Sequence, residues 1–80
     1  MNDNQIREHI ETLVSEEHRL LEHGDRGGLT NDDRAALEAI SIRLDQYWDL
    51  LRQRRARREF GQDPGIANMR EADVVERYRQ

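Results

Sequence analysis

The most prominent group of chemically capable side chains is the arginine-rich segment of residues 52–58, Arg-Gln-Arg-Arg-Ala-Arg-Arg. Guanidinium groups attract phosphate strongly, because each presents a planar fork of N–H donors. On a helix these arginines point all around the axis, and the only nearby aromatic side chain is Phe60, so no stacking platform is predicted. We expect the cluster to pair with carboxylates, with nucleic acid or another polyanion as the alternative ligand. The candidate contacts are Arg52, Arg54, Arg55, Arg57 and Arg58.

Glu17 is the one carboxylate that falls at the centre of an apolar helical stripe. A buried carboxylate must find a cation or raise its pKa, so an acid, a base or a metal ligand is conceivable there. A polar core layer that fixes helix register is the favoured interpretation, because no second inward carboxylate or histidine on this helix accompanies it. Arg55 and Arg58 are predicted to lie beyond the reach of the first helix, so they would meet Glu17 only from a partner chain.

No other residues form a catalytic, cofactor or metal pattern. The three histidines, His9, His18 and His23, have spacings that place no two of them on one helical face, and there is no cysteine. The glycines at 24, 27 and 28 precede a helix but follow no strand, and the helix they precede starts with two aspartates that would repel an anion. The predictions are therefore no enzyme, no cofactor and no metal.

Composition narrows the class of protein further. The 80 residues are 35% hydrophobic and 38% charged, with one proline and a net charge of −4, which leaves room for one small domain. No apolar run is long enough to span a bilayer, and the N-terminus lacks the order of a signal peptide, so a cytoplasmic protein is expected. The charge is uneven: residues 1–51 carry 12 acids and 5 arginines, and residues 52–80 carry 5 acids and 8 arginines. Such a chain could attract a copy of itself head to tail, or present its basic end to an anion.

Hydrophobic periodicity predicts an all-α fold built on an antiparallel helical hairpin of residues 1–61. The first helix has a cap among residues 2–4 and ends at Gly24, and Thr30 with Asp33 forms the capping box of a longer helix over 31–60. The main apolar stripe of the long helix faces the first helix, and it comprises Leu37, Ile40, Ser41, Leu44, Tyr47, Trp48 and Leu51. Trp48 is accordingly predicted to be a core residue that packs near Ile6.

The long helix carries a second stripe that the first helix cannot cover. Its members are Ala35, Ala39, Ile42 and Leu50, with two glutamines interleaved. Small alanine side chains allow another helix to approach, so we predict a homodimer that buries these four residues in a four-helix bundle. Alternatively, they are scattered surface residues, which are normal on soluble proteins.

Residues 62–80 form a C-terminal arm with a short helix over about 71–79, whose apolar side carries Val74, Val75 and Tyr78. A helix this short needs packing in order to persist in water. The arm either docks on the hairpin or a partner, or orders only on binding. Docking over Ile42 and Leu50 within one chain would weaken the case for the dimer.

Four segments of the chain together resemble a known family. They are residues 16–21, 48–56, 63–64 and 74–78, which read Glu-Glu-His-Arg-Leu-Leu, Trp-Asp-Leu-Leu-Arg-Gln-Arg-Arg-Ala, Asp-Pro and Val-Val-Glu-Arg-Tyr. The chain resembles a family of small bacterial proteins from high-GC genomes that is catalogued as a domain of unknown function. The resemblance implies a short, helical, cytosolic protein without assigned activity. From the residues themselves, the expected function is a non-catalytic protein–protein interaction module, with polyanion binding as the alternative.

Overall fold

The computed structural model describes residues 1–79, and the side chains of residues 1–77. Its elements are α1 (Asp3–Gly27), α2 (Asn31–Glu59), a single 3-10 turn (Pro64–Ile66) and α3 (Ala72–Arg79). Within residues 1–79 there is no β-strand. The predicted all-α class, an antiparallel hairpin with a short C-terminal helix, is thereby confirmed. The side chain of Tyr78, assigned above to the apolar side of α3, lies outside the described side chains.

Both long helices begin at reciprocal caps. The Asn2 side chain accepts a hydrogen bond from the backbone N–H of Gln5, and the Gln5 side chain accepts one from the backbone of Asn2, each 2.8 Å long. Thr30 and Asp33 form the same pair at 3.0 Å, as predicted. The backbone N–H of Thr30 also holds the pKa of Asp33 below its usual value. These caps satisfy N–H groups that have no partner within the helix.

The turn between the helices differs from the prediction. Helix α1 continues past Gly24 to Gly27, and the left-handed position belongs to Gly28, with φ of 80°. Gly24 has a different role, because a Cβ atom there would lie 2.6 Å from the Leu29 side chain. The missing side chain lets the turn fold closely back against the end of α1, which periodicity alone does not reveal.

The core lies at the end of the hairpin away from this turn. Ile6 and Ile10 of α1 form a buried cluster with Tyr47 and Leu50 of α2. Trp48 is 48% exposed, so its prediction as a core residue was wrong. The apolar stripe of α2 is wider than the area that α1 can cover. Tyr47 therefore faces α1 and is buried, whereas its neighbour Trp48 lies at the edge of the stripe, beside solvent.

The C-terminal arm docks along the same half of α2. The Gln53 side chain donates to the carbonyl of Asn68 at 2.7 Å, and the Gln46 side chain donates to the carbonyl of Arg70 at 3.2 Å. The arm therefore runs antiparallel to α2, and α3 packs on α2, where Val75 is fully buried.

A buried ion pair anchors the arm. The Asp49 side chain is only 5% exposed and lies 3.4 Å from the Arg70 guanidinium, and it also accepts a hydrogen bond from Gln53 at 2.9 Å. A carboxylate at this depth needs such partners, because its desolvation cost is large. The tertiary arrangement is thus three-layered, with α1 on one side of α2 and the arm on another.

We expect loss of the Arg70 charge to loosen the arm. In Arg70→Met the aliphatic stem remains, but Asp49 loses its cationic partner, and the free energy of unfolding should fall by about 1–3 kcal/mol. Arg77→Met is the matched control, since Arg77 is 73% exposed in a 4.0 Å pair and should change stability by less than about 0.5 kcal/mol. Chemical denaturation and amide exchange of residues 72–77 measure both effects. Equal stability of the two variants would contradict the anchoring role of Arg70.

Candidate interaction surface

The predicted arginine cluster lies at the open end of the hairpin, opposite the turn. Asp3 of α1 pairs with two of its arginines and leaves the others to different partners. The Arg54 Nε atom lies 2.6 Å from the Asp3 carboxylate, and the Arg58 guanidinium lies 2.8 Å from its second oxygen. Hydrogen bonds from Arg58 and then Arg54 lower the pKa of Asp3 from 3.8 to about 2. Arg58 does reach the first helix of its own chain, contrary to the prediction, because α1 begins at the level of the last turns of α2.

The remaining cluster residues have weaker attachments. Arg57 donates to the Gln62 side chain at 3.3 Å, and Arg55 lies 3.3 Å from Glu59 in an exposed pair one helical turn away.

Arg54, only 12% exposed, also donates to the carbonyl of Pro64 at 3.2 Å. Arg54 is therefore a structural residue, whereas Arg52 and Arg55 present exposed guanidinium groups to solvent.

A shallow groove of about 240 Å³ brings four arginines together beside the exposed tryptophan. Its lining residues are Asp3, Arg7, Trp48, Leu51, Arg52, Arg55 and Arg58. We call it the Trp48 groove. Sequence reasoning missed it, because Arg7 comes from α1 and Trp48 was assigned to the core. The heptad spacing of Trp48 and Arg55 was the available signal, since residues seven apart lie on one side of a helix.

The Trp48 groove is one end of a longer surface. On α2 the positions 37, 41, 44, 48, 51 and 55 alternate spacings of four and three, and on α1 the positions 7, 14 and 21 repeat every seven residues. We call this surface the open face. Its apolar and small members are Val14, Leu21, Leu37, Ser41, Leu44, Trp48 and Leu51, all partly or well exposed. Trp48 lies roughly 140° around α2 from Gln53, so the arm covers a different side of the helix.

The four residues predicted for a dimer interface differ in how far they are exposed. Leu50 is 5% exposed and belongs to the core of the single chain. Ile42 is half-buried, whereas Ala35 and Ala39 are exposed. Leu50 thus offers no surface to a second chain in this conformation, because the arm and α1 enclose it. The second stripe of α2 is real, but the chain covers part of it by itself.

The other singled-out side chains are dispersed. Glu17 is partly exposed, and within the described side chains no salt bridge reaches it. His9 stacks on Tyr47 with ring centroids 5.1 Å apart, and His23 lies 3.9 Å from Asp33 near the turn. Among residues 1–77, no three histidine, aspartate or glutamate side chains converge as a metal site would require.

Comparison with known proteins places the chain in a family. Residues 2–80 match the family model described as protein of unknown function DUF2630. The chain belongs to this family. Uncharacterised proteins of Mycobacterium tuberculosis and Mycobacterium bovis are each 47% identical to it over 77 residues, which is 95% of this chain and 88% of theirs. The resemblance seen in the sequence is therefore confirmed, and the organisms are high-GC bacteria as expected.

No solved structure gives a significant match to this DUF2630 chain. None of its described helices is both long enough and apolar enough to cross a membrane.

The pairing of Asp3 with Arg54 and Arg58, which we call the Asp3 clamp, predicts a defined acid sensitivity. Because the folded-state pKa of Asp3 lies below 3.8, its stabilisation is complete above that pH and is lost as the pH falls from 3.8 through about 2. At pH 7 Asp3→Asn should lower the free energy of unfolding by about 1–2 kcal/mol, and the difference from wild type should shrink as the pH falls below 3.8, to a small fraction of its pH 7 value near pH 2. Asp25→Asn, an exposed position near the end of α1, is the control and should be neutral. A pH-independent Asp3→Asn effect in denaturant titrations would refute the clamp.

Proposed function

We propose that this protein is a non-catalytic interaction module that forms a homodimer through the open face, as a four-helix bundle. The observation that supports this proposal is the half-exposed Trp48 within a heptad stripe that continues along α2. Heptad stripes of this spacing are the pattern with which helices pack side by side. Tryptophan and arginine supply five of the seven residues of the Trp48 groove, and both are among the residue types most enriched at the energetic centres of protein interfaces.

The surface of the chain fits this proposal. The chain exposes 5970 Å² for a mass of 9.5 kDa. A compact monomer of that mass exposes about 5,000 Å². The difference, about 1,000 Å², is comparable to the ~800 Å² that each partner buries in a standard interface. The radius of gyration of 15.0 Å also exceeds the ~12 Å expected of a compact chain of this length.

The small core of the single chain supports association as well. Within the described side chains, the fully or nearly buried apolar residues are Ile6, Ile10, Ile40, Tyr47, Leu50 and Val75. Four of them cluster at the end of the hairpin that the arm covers. Near the turn, Leu20 and Leu37 are half-buried and Leu21 is 45% exposed. A second hairpin on the open face would remove Leu21 and Leu37 from water, at about 25 cal/mol for each Å² of apolar area.

Two arginine substitutions distinguish an interface on the open face from an interface on the edge of α2 that carries Ala35, Ala39 and Ile42. Wild type should sediment at twice the 9.5 kDa chain mass. Ser41→Arg places a charge in the middle of the heptad stripe and should weaken dimerisation tenfold or more, about 1.4 kcal/mol. Ala39→Arg changes an exposed position outside the stripe and should leave the dimer intact.

Analytical ultracentrifugation over a concentration series gives the dissociation constants. Helical circular dichroism checks that both variants fold, as expected because arginine is a good helix former. A monomeric wild type would reject the proposal. Dissociation by Ala39→Arg instead of Ser41→Arg would move the interface to the edge of α2 that the sequence first suggested.

A second candidate function, binding of nucleic acid or another polyanion, has one specific observation in its favour. The sequence predicted no aromatic stacking platform beside the arginine cluster. In the structure, Trp48 is exposed beside Arg52 and Arg55, where an aromatic ring is placed to stack on a base. Aromatic platforms with flanking arginines bind single-stranded nucleic acid with little dependence on sequence. The internal pairing of Arg54 and Arg58 with Asp3 reduces the charge available for such binding.

Tryptophan fluorescence tests this candidate directly, because Trp48 is the only tryptophan of the chain. Titration with single-stranded and duplex oligonucleotides at low salt should quench the emission, and the apparent affinity should fall steeply as salt rises. Arg52→Gln should weaken binding, whereas Arg34→Gln, an exposed arginine near the turn, should not. Unchanged emission at low salt would eliminate polyanion binding at this groove.

A further inference from the structure

We infer that two copies pair antiparallel through the open face, so that the acidic turn end of each occupies the Trp48 groove of the other. This inference rests on the homodimer proposed above and specifies its orientation. It follows from the distribution of charge along the hairpin and from the symmetry of the heptad stripe.

The two ends of the molecule, which is 51 Å long, carry opposite charge. Residues 20–38, around the turn, contain five carboxylates and two arginines. The open end combines residues 50–62, with five arginines and one carboxylate, and residues 1–12, with one arginine and three carboxylates, so its net charge is positive. Charges farther apart than about 8 Å are largely screened at physiological ionic strength. The orientation therefore depends on which ends come into contact. Parallel pairing would bring like charges together at both ends, and antiparallel pairing brings opposite charges together.

The positions of the open face are symmetric about its middle. Leu37 and Leu51 each lie seven residues from Leu44, and Arg7 and Leu21 each lie seven residues from Val14. A two-fold axis that crosses the helices at the level of Val14 and Leu44 brings Leu37 of one copy opposite Leu51 of the other. An isologous interface requires this property, because one patch must complement itself.

Side-chain sizes on α2 agree with this arrangement. Ser41 lies three residues on the turn side of Leu44, and Trp48 lies four residues on the other side. Antiparallel pairing brings the large indole of one copy to the level of the small serine of the other. The exposed indole then gains cover without displacing a neighbour, which favours close packing. On α1, the same operation brings the exposed Leu21 to the level of Arg7 at the edge of the Trp48 groove.

Disulfide cross-linking reports the orientation, because the chain has no native cysteine. A mixture of full-length Arg7→Cys and Leu21→Cys, oxidised at low protein concentration, should give a heterodimeric disulfide. Each variant alone should give little product, because fourteen residues of helix separate equivalent positions by about 21 Å. Glu8→Cys mixed with Leu21→Cys is the matched control, since Glu8 lies at the same level but on an outward face.

Salt dependence of the wild-type dimer provides a second readout. Contacts between opposite charges weaken with salt, so the dissociation constant should rise about three- to tenfold between roughly 0.05 and 0.5 M NaCl. A parallel dimer would respond in the opposite sense, because salt screens repulsion between like ends.

The outcomes separate the inference from the function on which it rests. A heterodimeric disulfide with salt-weakened association supports antiparallel pairing. A stable dimer that tightens with salt, or that cross-links no better than the Glu8→Cys control, overturns the orientation but retains the homodimer. A monomer in sedimentation overturns both.

Discussion

Helix α2 is apolar over a wider arc than α1 can cover, and the way in which the chain covers it decides the rest of the structure. On one side, Ile6 and Ile10 of α1 pack on α2. On another side the arm packs on α2, where it buries its own Val75 and, together with α1, encloses Leu50. The arm brings polar backbone against α2, which is why glutamines and a buried aspartate line that side. The open face lies along the edge where α1 and α2 meet. Its members Val14, Leu44 and Leu51 pack partly against the core, whereas Leu21, Ser41 and Trp48 are exposed.

The arginine cluster has two separate physical roles. Arg54 and Arg58 close the open end of the hairpin on Asp3, which fixes the level at which α1 meets α2. Arg52 and Arg55 line the Trp48 groove together with Arg58, but they do not pair with Asp3 and they keep exposed charge. A run that looks uniform in sequence is thus divided by helical geometry, because successive residues point in directions about 100° apart. Only the second set could serve a partner without loss of the fold.

The two candidate functions compete for one surface. A homodimer would use Trp48 to bury apolar area, whereas a polyanion would use it as a stacking platform between arginines. In the antiparallel arrangement, the acidic turn end of a second copy takes the position that a polyanion would occupy.

The sequence by itself determined the helices, because caps, periodicity and glycines act over a few residues. The Thr30 and Asp33 box and the start of α2 could be predicted on that basis. Only the tertiary structure decided which side of α2 each neighbour takes. Tyr47 and Trp48 are adjacent and both aromatic, yet one is 5% exposed and the other 48%. Asp3 and Asp49 likewise find their arginines 51 and 21 residues away along the chain. Local pattern gives the width of an apolar stripe, but the helix that packs on it sets which part is buried.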